Sequence, residues 1–175
     1  FAAILCTYYL HKKKYKFNFL KQFDKKKAIK IIIRDTLICM IIYLLIFINN
    51  FPVLPITSFK LLLIIMIIYP IISALPQEIC FRAFFFHRYS ILFQNKILLI
   101  VINGLIFGLL HSIYLNLQII IITFFAGVLF SLNYYYNKSL FLVTIEHSLL
   151  GNFIFSIGLG YYFHESIIEK VYNII

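Results

Sequence analysis

Acidic residues are scarce in this chain: six Asp and Glu stand against sixteen Lys and Arg, and charged residues make up only 13% of the sequence. A soluble domain carries roughly a quarter of its residues charged, so a water-exposed globular surface is excluded. Cysteine is rare too. Cys6, Cys39 and Cys80 lie singly in apolar runs with no CxxC pair, which leaves them as small packing residues. There is no HExxH metal-binding pair. The alternating apolar–polar strands of a membrane barrel are missing, as are internal repeats and a soluble domain.

Hydrophobic residues are what remains, at 63%. Several apolar runs reach the ~18–20 residues with which a helix crosses a bilayer. The expected fold class is all-α, a polytopic integral membrane helical bundle with about six spans. The first, residues 1–10, reads as the tail of a truncated span, because the chain starts at Phe1. The others are expected at 31–48, 60–89, 97–112, 117–136 and 139–163. Pro70 should kink the third and Pro76 should add a second irregularity. Residues 1–59 thus hold the partial span, a basic loop and the second span. Residues 60–163 form the core, and 164–175 an amphipathic tail at the interface.

The net charge of +10 is concentrated in one place. Residues 11–30, "HKKKYKFNFLKQFDKKKAIK", hold nine lysines and one aspartate. Such a loop obeys the positive-inside rule, which puts it on the cytosolic side of a bacterial plasma membrane or an organelle membrane. It would attract anionic lipid. A nucleic-acid partner is not expected.

Against this background "SALPQEICFRAFFFHRY" (73–89) stands out. Ionisable residues inside a span are expensive, and their default reading is functional. Glu78 and Arg82, four apart, share a helix face with the acid in the favourable N-terminal position. Counting from the turn near residue 94 puts Glu78 and His111 at a similar depth, roughly 25 Å in at ~1.5 Å per residue. Gly104 and Gly108 form a small face that would let those two helices meet. His147, beside Glu146, counts out very roughly 10 Å nearer the cytosolic side. Two histidines with acids could hold zinc, through His111, His147 and Glu78, or could activate water without any metal. A buried set of this kind also suits a proton or ion transporter.

The order "PQEICFR", "FGLLH", "EHSLLGN", each on its own helix, resembles the CPBP intramembrane protease family. That family includes type II CAAX prenyl endopeptidases and bacteriocin-processing or immunity proteins. Its pattern is EExxxR, then FxxxH, then HxxxN or HxxxD, and the likeness covers about 60–163. The resemblance implies an intramembrane endopeptidase acting on a membrane-anchored peptide or protein, prenylated or leader-type. It needs no cofactor on the metal-free mechanism, with zinc as the alternative. The first motif acid and His111 would activate water. Glu78 and Arg82 would support the site, and His147 with an asparagine would hold substrate or oxyanion. Gln77 stands where the first glutamate belongs, a wording that resembles a recurring QExxxR branch. Gly151 stands where the asparagine belongs. Asn152 is one residue late, about 140° round the helix from His147 instead of about 40°. A glutamine amide is no base, so three readings stay open. Glu78 takes over as base, Glu146 supplies the carboxylate, or the protein is an inactive scaffold or immunity-type relative.

Overall fold

Side-chain caps divide the apolar sequence into helices. Asn95 accepts from the backbone N–H of Ile97 at 2.8 Å, and Asn116 from that of Gln118 at 2.9 Å. Ser139 does the same for Leu142. Each satisfies donors that a helix start leaves open. The computed structural model describes residues 1–15, 24–48 and 59–157. Within these, α1 spans Ala2–Lys12 and α2 Lys25–Ile48. A continuous rod follows, made of α3 (Phe59–Tyr69), α4 (Leu75–Glu78) and α5 (Phe85–Tyr89). Then come α6 (Lys96–Leu110), α7 (Leu117–Asn137) and α8 (Leu140–Ser156). The described residues thus form an all-α bundle of six rods. The interfacial tail, the end of the last expected span and the middle of the lysine-rich stretch lie outside the described residues.

Leu62–Leu92, Lys96–Tyr114 and Leu117–Asn137 are long and apolar enough to cross a membrane, and α8 is a shorter apolar helix. Large apolar side chains such as Ile67, Ile71 and Ile72 face outward, as a lipid-facing surface requires. The second span starts six residues earlier than expected. Asp24 accepts from the backbone N–H of Lys26 at 2.9 Å, and the following lysines are good helix formers.

Pro70 does not break its rod. The chain takes a wide π-helical turn at Pro70–Ala74 and a second at Ile79–Phe84. Proline has no N–H to give the carbonyl four residues back, here that of Met66. Asn152 on α8 supplies a donor instead, its Nδ2 lying 3.3 Å from Met66 O. In lipid every backbone polar group needs such an internal partner.

Gly104 and Gly108 do allow a close approach, but to α7 and not to the 60–89 rod. A Cβ on Gly108 would lie 2.9 Å from Ile120 O, and a Cβ on Gly127 of α7 would lie 3.0 Å from Gly104 Cα. Small faces on both helices choose each other, because backbone contact needs a missing side chain on each side. Gly108→Leu is expected to destabilise the bundle by about 1–3 kcal/mol through overpacking. Thermal unfolding of the detergent-purified protein measures it. An unchanged midpoint would show that the α6–α7 contact has slack.

Candidate active site

Glu78 ends α4 and is fully buried. Its Oε1 lies 2.8 Å from His147 Nδ1, and its Oε2 lies 3.1 Å from Arg82 Nε. The second contact pairs the charges, although the Nε–H is off the line of a hydrogen bond. The i, i+4 pairing read from the sequence is therefore present, and a histidine completes it.

Arg82 is also fully buried. Its Nη1 donates to Asn103 Oδ1 at 2.9 Å, and Nη2 makes a longer 3.4 Å contact with Gly127 O. The guanidinium lies over Phe107 at 5.1 Å and Phe130 at 5.5 Å, a pair of cation–π contacts. Asn103 is anchored in turn, donating to Phe81 O at 2.8 Å and accepting from Ser131 Oγ at 2.6 Å. Sequence reasoning missed Asn103 and Ser131. The only signal was their polarity within apolar runs.

His147 stacks on Phe130 with ring centres 4.6 Å apart and planes 19° from parallel. Phe107 lies edge-on to it at 5.7 Å and packs on His111 at 4.8 Å. His111 follows the end of α6, its Nδ1 lying 2.8 Å from Phe107 O. Carboxylate and carbonyl oxygens only accept, so each Nδ1 carries its proton and donates. In the neutral rings the lone pair then sits on Nε2.

A cavity of about 330 Å³ opens against these rings. Tyr69, Ser73, Gln77, His111 and His147 are among its polar lining, and Ile38, Phe107, Leu129 and Phe153 are among its apolar walls. Gln77 Nε2 donates to Ser73 Oγ at 2.9 Å, while Gln77 Oε1 is buried without a donor among the described residues.

The depth reading needs correction on two points. The acid meets His147, not His111, and the two histidines line one cavity instead of standing at separate levels. The reason is the start of α8. Its capping Ser139 is fully buried, so the helix begins inside the bundle and sets His147 against Glu78, Phe107 and Phe130.

Two further expected residues lie elsewhere. Glu146 is turned away from the cavity by the ~100° step between helix neighbours. Its carboxylate pairs with Arg34 Nη2 and accepts from Asn133 Nδ2. Arg34 also donates to Asp35 Oδ1 at 2.8 Å. This second polar cluster ties α2 to α8, so Glu146 does not reach the cavity as a replacement base. Asn152 serves Met66 O on α3 and is no partner of His147. The zinc set fails as well. Among the described residues no three His, Cys, Asp or Glu side chains are grouped to hold a metal. Glu78 has both oxygens engaged by His147 and Arg82, which leaves no carboxylate for a His111–His147 pair.

The family model for type II CAAX prenyl endopeptidase Rce1-like proteins matches residues 58–154, more than half of the chain. The chain belongs to this Rce1-like family. It is an integral membrane protein of a protease family. The matched stretch holds every cavity-lining residue except Ile38, Ile42 and Phe155. No curated protein and no solved structure matches the chain.

Arg34→Met would leave Glu146 buried without its charge partner. Breaking a buried pair from one side costs about 3–5 kcal/mol. The Arg34 side chain is 35% exposed, so a loss of about 1–3 kcal/mol is expected. Adding Glu146→Leu to Arg34→Met should recover the part due to Glu146, while Asp35 stays buried without Arg34. Thermal unfolding of the single and double variants checks this, and a double variant no better than the single one would refute the buried-charge account.

Proposed function

We propose that this Rce1-like protein hydrolyses a peptide bond in a membrane-associated substrate of the prenylated CAAX type, with His147 as general base and Glu78 as its orienting carboxylate. The reading rests on one contact, the 2.8 Å approach of Glu78 Oε1 to His147 Nδ1 beside the cavity. A carboxylate on Nδ1 selects the tautomer with a basic Nε2 and stabilises the imidazolium that forms on protonation. This arrangement works without a glutamate at position 77.

Water in the cavity gives a proton to His147 Nε2 as its oxygen attacks the substrate carbonyl carbon. The new C–O bond forms, and the carbonyl electron pair moves onto oxygen. The C–N bond then breaks, and His147 returns the proton to the departing amine nitrogen. The products are a carboxylic acid and an amine, which exchange the remaining water proton to give a carboxylate and an ammonium. Gln77 Oε1, lacking a donor, accepts from the water or from a substrate N–H. His111 Nε2 offers a second acceptor to the water. Arg82 pairs with Glu78 and holds it in place. No step passes through a metal. The lysine-rich stretch faces the cytosol, where it draws the site toward anionic lipid.

A second reading is favoured by Gln77 alone, which stands where the family motif carries an acid. On that reading the protein is an inert scaffold of the same fold.

The test is cleavage of an internally quenched farnesylated CAAX-type peptide by protein in lipid vesicles. Wild type is expected to cut it, with a rate unaffected by chelator. Glu78→Gln and His147→Ala should each lower kcat by about 10²–10⁴-fold, the range for general base catalysis. Glu146→Gln should stay within a few-fold. An inert wild type moves the scaffold reading to first place, and a fully active Glu78→Gln removes the dyad.

A further inference from the structure

Hydrolysis by the Glu78–His147 pair produces an oxyanion, which needs a donor, and most donors named so far are engaged. His147 gives its Nδ1–H to Glu78, and His111 gives its own to Phe107 O. The Gln77 amide donates to Ser73 Oγ, and Thr123 donates to Ile119 O. Asn152 is held at Met66 O. Each of these side chains has one N–H or O–H directed at a protein acceptor, and what remains is a second N–H on the Gln77 and Asn152 amides and the hydroxyl proton of Ser73.

Tyr69 is different. It ends α3 just before the wide turn at Pro70–Ala74, and it lines the cavity. No hydrogen-bond partner engages its hydroxyl among the described residues. Its ring is fixed on both sides, edge-to-face with His147 at 5.9 Å and with Phe155 at 5.3 Å. The hydroxyl end reaches over α8 at Gly151, where a Cβ would collide with Tyr69 Oη, Cε1 and Cζ. Gly151 lies one helical turn beyond His147 on the same face of α8. The missing side chain at 151 is therefore the space that the phenol fills, directly above the base.

We propose that Tyr69 is a catalytic residue whose phenolic O–H donates to the carbonyl oxygen of the scissile bond as it becomes an oxyanion, and that Gly151 is the opening which admits it. The assignment rests on the hydrolase reading above. When water attacks, the electron pair displaced from the C=O bond comes to rest on the oxygen facing Tyr69. The phenol keeps its proton and shortens its hydrogen bond. On collapse the pair returns to carbon and the C–N bond breaks. A donor held rigid before the reaction needs no reorganisation when the charge appears, and this makes such donors effective. Tyrosine also suits a site walled by apolar rings, because its body packs while its tip stays polar.

The experiment uses full-length protein in vesicles with the same quenched farnesylated peptide, and reads kcat and KM separately. Tyr69→Phe keeps the ring contacts with His147 and Phe155 and removes only the donor. It is expected to lower kcat by about 10²–10³-fold with KM nearly unchanged, the loss typical of one oxyanion donor. Tyr69→Leu, which removes the ring as well, separates packing from donation. A Tyr69→Phe protein as active as wild type overturns the assignment, whether or not Tyr69→Leu has fallen. A change in KM alone also overturns it, since that would be binding without oxyanion stabilisation. The two readings fail in distinguishable ways. A wild type that cuts nothing removes the hydrolase reading and this proposal together. An active wild type, an inactive His147→Ala and a fully active Tyr69→Phe remove only the role of Tyr69.

Discussion

A guanidinium in hydrocarbon is the constraint around which this bundle is arranged. Arg82 has no exposure to solvent or lipid, and an isolated charge at that depth would be prohibitively costly. Its needs are met from four directions. Glu78 supplies the countercharge, Asn103 and Gly127 supply acceptors, and the rings of Phe107 and Phe130 cover its faces. These partners come from the 59–89 rod, α6 and α7. The carboxylate that neutralises the arginine also holds His147 from α8. One charge thus registers the helices, and the same carboxylate orients the histidine beside the cavity.

The aromatic rings carry a second layer of order. Phe107 touches Arg82, His111 and His147, and Phe130 stacks on His147 while covering Arg82. Rings of this kind exclude water from the ion pair without competing for its hydrogen bonds. The cavity therefore meets the outer edge of a polar network walled off by aromatic rings. Networks of this sort are rigid when every member has a partner. Gln77, whose carbonyl oxygen is buried without a donor among the described residues, and Tyr69 both line the cavity.

Two details show how the demands of buried polar groups compete with apparent motifs. Asn152 looks like a displaced member of a histidine motif. It is the donor that the Met66 carbonyl needs because Pro70 cannot provide one. Glu146 looks like half of an acid–histidine pair, yet adjacent residues on a helix face different neighbours. Its carboxylate belongs to Arg34 and Asn133. In both cases the bilayer's intolerance of unpaired polar groups decided the partner, and proximity along the chain did not.

The helical bundle, its rods and the presence of Glu78, Arg82, Glu146 and His147 as ionisable groups within apolar helices were legible in the linear chain. Apolar run length and the expense of charge in lipid are local properties, readable residue by residue. The Glu78–Arg82 pairing was legible for the same reason, since four residues on one helix are close whatever the fold. Which histidine meets the acid was not legible. It depends on how deep α8 begins, and the burial of Ser139 is a property of the whole bundle. Nor could a sequence show that the bare face of Gly104 and Gly108 would find α7, or that Gly151 is occupied by the phenol of Tyr69 from a helix eighty-two residues earlier. Those contacts join helices distant along the chain, and packing alone selects among the partners that apolar surfaces allow.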